Sequence, residues 1–282
     1  MKKPNIPKAP KAYQDQEFLN SPDARVIRML AEFLEPQRRF RLERVKDTIV
    51  FFGSARIRPL SVTEAELRNV RSLLKDERRL TLNKMHLLRS AQMQVEMSRY
   101  YEDTVELSRL ITAWSKKLSE PNRFVICSGG GPGIMEAANK GAYLGRGKSI
   151  GLNISLPFEQ SANPFITPGL NFEFHYFFMR KLWFVYLAKA LVIMPGGFGT
   201  LDELMEVVTL LQTAKVKKKM AIVIYGSEYW NKVIDFRAIV DHGLVSKKDL
   251  SLFKFLDDPQ EAFEYLRDFL LKTYEIRPDR VQ

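Results

Sequence analysis

The nonapeptide Pro195-Gly196-Gly197-Phe198-Gly199-Thr200-Leu201-Asp202-Glu203 holds the residues of this chain best suited to chemistry. Its glycines let backbone amides come close to a ligand. The apolar run at 190–194 just before it reads as a buried strand, which Pro195 stops. Thr200 is expected to open a helix with Leu204, Val207, Val208 and Leu211 on one face. A strand, a glycine turn and a helix start suit a phosphate, because free N–H groups and the positive end of the helix dipole converge there. Glu203 then has two readings. In Thr200-x-x-Glu203 it fits a capping box, where it bonds the first amide of the helix and does nothing else. Beside a bound phosphate, the same carboxylate lies within reach of a ribose. Glu206, one turn on, is either solvated or a support for the site. Arg180-Lys181, between Met179 and Leu182, is either a helix rim or a charged wall of the same site.

Two further glycine turns follow expected strands: Gly53-Ser54 after residues 48–52, and Gly129-Gly130-Gly131-Pro132-Gly133 after residues 123–128. In an open parallel sheet such loops gather at the carboxyl ends of the strands, where ligands bind. The second turn lacks the spacing of the dinucleotide fingerprint, no ribose-binding acid follows on the next strand, and no Walker lysine is present. A mononucleotide is therefore favoured over NAD or ATP hydrolysis.

These loops need a sheet to carry them. Further strands are expected at 149–154, 171–176 and 220–225, with an edge strand at 253–256. Helices alternate with them, from Pro132 to about Ala142, around Arg180, after Thr200, and from Asp258-Pro259 with Phe263, Leu266 and Leu270 inward. The fold class is α/β: a Rossmann-like, doubly wound parallel sheet with helices on both faces, an N-terminal helical extension and a helical insertion. Residues 1–46 form the extension, a mobile arm through residue 20 followed by a helix. Ser21-Pro22-Asp23 starts that helix, Ile27, Leu30, Ala31 and Leu34 share its apolar face, and it is expected to end before Pro36. Residues 47–273 make one domain, and 274–282 a tail. Residues 60–118 contain no glycine, and about 60–97 of them read as inserted, since a strand–helix–strand crossover needs far fewer residues. Residues 157–168 are expected to be loop.

Composition narrows the partners. The 282 residues are 45% hydrophobic, ordinary for a globular protein, and no apolar run approaches a membrane span. The net charge of +11 is spread over several segments rather than one dense tract. It reads as a basic surface that attracts small anions, and the lack of interleaved aromatics argues against nucleic acid. A single cysteine and an N-terminus, Met1-Lys2-Lys3-Pro4, without a following apolar stretch point to the cytoplasm. His86, His175 and His242 lie far apart, so no metal is expected, and no cofactor is called for.

The nonapeptide resembles the Pro-Gly-Gly-x-Gly-Thr-x-x-Glu signature of the LONELY GUY (LOG) family, nucleoside 5′-monophosphate phosphoribohydrolases often described as lysine decarboxylases. Arg180-Lys181 is similar to that family's Arg-Lys pair. Gly129–Gly133 with Met135-Glu136, and Gly53-Ser54, resemble its other glycine loops. The similarity spans about residues 47–240. Phe177-Phe178-Met179 stand where the family often has Met-His, and nothing marks a pyridoxal lysine. The resemblance implies hydrolysis of the N-glycosidic bond of an AMP-like or cytokinin riboside monophosphate to free base and ribose 5-phosphate. It implies catalytic roles for Glu203 and Arg180. Binding roles follow for Gly196, Gly197, Gly199, Thr200, Lys181, Gly53, Ser54, Gly130, Gly131 and Glu206. It also implies a homodimer or higher homo-oligomer, as do unsatisfied apolar faces at 22–35 and 62–97. Two alternatives stand beside the hydrolase: a carrier of a nucleotide or molybdopterin-type cofactor, and a nucleic-acid-binding Rossmann-like protein.

Overall fold

The computed structural model describes residues 8–75, 81–118, 123–156 and 161–276. Seven parallel strands form one sheet: β1 (Thr48–Phe52), β2 (Val125–Ser128), β3 (Ser149–Ile154), β4 (Asn171–Phe174), β5 (Ala188–Ile193), β6 (Ala221–Tyr225) and β7 (Lys254–Leu256). Their order is β4-β3-β2-β1-β5-β6-β7. The winding reverses between β1 and β5, and the crevice beyond such a reversal is where open α/β sheets take ligands.

The central strands are apolar because both sheet faces are covered. Ile49 and Phe51 of β1 face the core beneath α4 (Leu82–Ser115), α5 (Ile134–Leu144) and α10 (Pro259–Thr273). Val50 and Phe52 face the other core, beneath α2 (Arg25–Leu42), α6 (Phe177–Tyr186) and α7 (Phe198–Gln212). The remaining helices are α1 (Gln16–Asn20), α3 (Leu60–Leu74), α8 (Ser227–Val233) and α9 (Phe236–Asp241).

Several sequence expectations change. The expected arm is helical at Gln16–Asn20, where Asp15 caps the helix by accepting from the Phe18 amide. Helix α2 does not stop before Pro36. It runs through it, because the carbonyl that proline leaves without an i+4 donor, that of Glu32, accepts from Trp183 Nε1 at 3.0 Å. The apolar stripe of α2 expected to dock on the main domain or on a second subunit is not covered by the domain. Ile27, Leu30 and Leu34 are 46%, 54% and 55% exposed, while Phe40 is buried, with Met29 and Phe33 packed against the same core. Phe33 and Phe40 lie against Trp183, with ring centroids 5.6 and 5.2 Å away.

Helix α4 is continuous through Met97, so no break in the chain path ends the stretch that reads as inserted. The expectations for residues 1–7 of the arm, 157–160 of the loop and 277–282 of the tail lie outside the described residues. Among the described residues, no helix is long and apolar enough to cross a membrane.

Candidate active site

The three glycine turns meet at the carboxyl ends of β1, β2 and β5, tied by backbone hydrogen bonds. The Ser54 amide donates to Pro195 O at 3.0 Å, and the Ile134 amide donates to Ser54 O at 3.1 Å. Gly133 has φ +71°, and a Cβ there would stand 2.4 Å from Ser54 O, so only glycine fits. Gly196 is equally constrained, since its Cβ would meet Thr200 Oγ1 at 2.1 Å. Between the turns lies a cleft of about 310 Å³.

Helix α7 begins earlier than the sequence suggests. Gly197 is its N-cap and Phe198 its first residue, which makes Thr200 the third residue and Glu203 the sixth. A capping box needs the acid at the third position. Glu203 therefore cannot play that role, and the capping reading is overturned. Its side chain is turned toward the cleft yet only 6% exposed, and Oε2 has no hydrogen-bond partner among the described residues. Burial pushes its pKa up to about 7, against the pull of Arg180 and Lys181.

Arg180, from α6, lines the same cleft. Its Nε donates to Leu152 O at 2.7 Å, and its guanidinium lies 4.9 Å from the Phe184 ring centroid. A Cβ on Gly129 would come within 2.6 Å of its Nη2, so that glycine makes room for the arginine. Burial lowers the Arg180 pKa and Glu203 raises it again. The helix that carries Arg180 is held by α2, whose Glu32 carboxylate accepts from the His175 and Tyr176 amides at 2.7 and 3.2 Å.

Of the residues singled out by sequence, Gly53, Ser54, Arg180, Gly197, Gly199, Thr200 and Glu203 line the cleft together. Five others do not. The Gly196 carbonyl accepts from the Tyr229 hydroxyl. Gly130 and Gly131 turn their carbonyls to Asn163 Nδ2, at 3.0 and 3.1 Å. Lys181 points to the other side of α6, where Nζ bridges Asp202 at 2.9 Å and Glu206 at 3.0 Å. Lys181 and Glu206 thus strap α6 to α7 and leave Arg180 and Glu203 facing the cleft. Arg56, Asn153 and Leu156, which the sequence did not single out, also line it, as do Met135 and Phe177, which it named only in the family resemblance. Asn153 had a local sign, a polar residue near the end of a mostly apolar strand; Arg56 and Leu156 had none.

A Cβ on Gly197 or Gly199 would meet no protein atom within 4 Å, and both glycines border the cleft at the start of α7. Gly199→Ala is expected to leave thermal stability unchanged or raise it slightly, because alanine suits a helix better by up to about 1 kcal/mol. Its methyl group would border the cleft, and if the start of α7 takes an anion the KM for a phosphorylated ligand is expected to rise about ten-fold. Thermal melts and initial rates check both halves.

The match to known proteins covers part of this site. The family model described as possible lysine decarboxylase matches residues 135–266, which include Arg180 and Glu203. Curated relatives from Oryza sativa subsp. japonica are described as probable cytokinin riboside 5′-monophosphate phosphoribohydrolases of the LOG group. One is 25% identical over 155 residues, covering 54% of this chain and 66% of its own length. Another is 25% identical over 185 residues, covering 64% and 68%. Over residues 135–266 the chain is similar to the LOG group. It spans about two thirds of the length of these LOG relatives. Solved structures with a similar chain path include a molybdenum cofactor carrier protein from Chlamydomonas reinhardtii, at 18% identity and TM-score 0.42, covering 80% of this chain and 98% of that one. A molybdenum cofactor binding protein from Rippkaea orientalis has 18% identity and TM-score 0.42, covering 61% and 88%.

Proposed function

We propose that this protein hydrolyses the N-glycosidic bond of a nucleoside 5′-monophosphate. The observation that carries the reading is Glu203: a buried carboxylate whose Oε2 has no hydrogen-bond partner among the described residues, turned into a cleft it shares with Arg180 and the start of α7. The relatives described as phosphoribohydrolases support it. The amides at Gly197, Gly199 and Thr200 would hold the phosphate, helped by the helix dipole. The ribose then lies beside Glu203. As the bond from C1′ to the base nitrogen breaks, the base takes the electron pair and positive charge builds on the ribose ring. An ionised Glu203 offsets that charge in a site where water is scarce. Water adds to C1′, losing a proton while the base gains one, and the products are ribose 5-phosphate and free base. Arg180 orients Glu203 or stabilises the departing base.

The phosphate takes no part in bond breaking, so its binding energy is available to place the ribose against Glu203. Incubation with a panel of nucleoside monophosphates, AMP first, followed by chromatography for free base, tests the reaction. Retention of an intact nucleotide with no base released would make the protein a carrier instead.

A pH dependence follows from the same chemistry. Glu203 acts as the carboxylate, so kcat/KM should rise with pH and level off above about 7, where Glu203 ionises. Lys181→Met should move that rise to higher pH. It removes a cation that favours ionised Glu203 and leaves Asp202 and Glu206 without their bridge. A raised KM with an unmoved pH profile would mean that Lys181 binds substrate directly.

A further inference from the structure

Asn153 stands near the end of β3, is 7% exposed, and lines the cleft. Both hydrogens of its Nδ2 are committed, one to Asn171 Oδ1 at 2.7 Å and one to the Phe172 carbonyl at 2.9 Å. A carbonyl can only accept, so the bond to Phe172 fixes which end of the amide is nitrogen. The other end, Oδ1, accepts from no described residue. It is also not among the side-chain atoms that are buried without a partner. The cleft therefore contains a side-chain oxygen locked in orientation and able only to accept.

Its distance from the phosphate end says what it faces. In the order β3-β2-β1-β5, three strand spacings separate β3 from β5. At about 4.8 Å each, they place Asn153 about 14 Å from the strand that leads into Gly197 and Gly199. A nucleotide anchored there by its phosphate would lay its ribose across β1 and β2 and its base toward β3. Near Asn153 the cleft wall combines the apolar Ile154, Leu156, Phe177 and Met135, which suit the faces of a flat ring, with the Arg180 guanidinium bonded to Leu152 O.

We propose that Asn153 Oδ1 reads the base by accepting an N–H from an exocyclic amino group, making Asn153 a specificity-determining residue. The inference rests on the nucleotide reading of the cleft. A base with no hydrogen at that position leaves Oδ1 desolvated and unpaired, and one with a carbonyl there sets two acceptors against each other.

Calorimetric titration with AMP and with purine riboside 5′-monophosphate, which differs only in lacking the amino group, tests this on the unaltered protein. Ribose 5-phosphate serves as a control for the phosphate end. AMP is expected to bind about ten-fold more tightly than the purine riboside monophosphate. In Asn153→Ala that preference should collapse to within about two-fold, with ribose 5-phosphate affinity unchanged. A role confined to tying β3 to β4 would weaken all three ligands together. Equal binding of the two nucleotides by the unaltered protein, or a preference that survives Asn153→Ala, overturns the inference. Free-base release is followed in the same samples. AMP bound with the expected preference but never cleaved would sink the hydrolase reading while leaving the assignment of Asn153 upheld.

Discussion

Glu203→Gln is expected to fold normally and to lose about 10²–10³-fold in kcat, with little change in KM. An amide has nearly the shape of the carboxylate but cannot offset charge developing on the ribose ring. The phosphate contacts at the start of α7 are untouched, which is why KM should hold. The same variant carries an independent signature in stability. Burial raises the Glu203 pKa from an ordinary 4.5 to about 7 in the folded protein. The unfolded chain therefore loses this proton first as pH rises. The folded state bears a growing cost between about 4.5 and 7, and the full cost above 7. That cost is about 3 kcal/mol, because a tenfold change in proton affinity is worth about 1.4 kcal/mol. Relative to the unaltered protein, Glu203→Gln should thus be more stable at pH 8 than at pH 5 by about 2–3 kcal/mol. Denaturant titrations at the two pH values measure the difference. Undiminished turnover, together with equal stability differences at both pH values, would return Glu203 to a purely structural role.

Arg180→Ala should cost about 10²-fold or more in kcat/KM. Two effects act together. The cleft loses a cation whose guanidinium is held by the Leu152 carbonyl and by the Phe184 ring. Glu203 also loses the group that most favours its ionised form, so the rise of activity with pH should move upward. Arg180→Lys separates the two. A lysine restores charge near Glu203, so the pH profile should return toward its original position. Its single ammonium cannot reproduce the planar fork that bonds Leu152 O while facing the cleft, so the rate should recover only in part. Wild-type rates in Arg180→Ala would remove Arg180 from the site.

The strands, the alternation and the glycine turns were legible because they depend on local pattern. Parallel strands covered on both faces must be apolar, and turns that cradle a ligand must spare side chains. The two stripes of α2 show where periodicity runs out. Ile27-Leu30-Leu34 and Met29-Phe33-Phe40 both fit a helical repeat, and the choice fell to the second because its aromatics meet Trp183. Pro36 was a stop signal in sequence. It ceased to be one once a tryptophan from another helix took the carbonyl it had stranded.

The candidate site divides the same way. The order of residues alone placed Gly197 and Gly199 beside a strand end, because a strand–turn–helix unit puts its turn at the carboxyl edge of a parallel sheet. Whether Glu203 capped a helix or faced a ligand depended on where α7 begins, and a displacement of its N-cap by three residues, from Thr200 to Gly197, decided it. Lys181 and Arg180 were indistinguishable neighbours in the chain. Successive residues on a helix point about 100° apart, so packing of α6 on α7 sent one to a strap and the other into the cleft. Asn153 lies about fifty residues from Glu203 in sequence. Only the closing of the sheet put its oxygen in the same cleft, since side chains from separate strands share a site solely through tertiary packing.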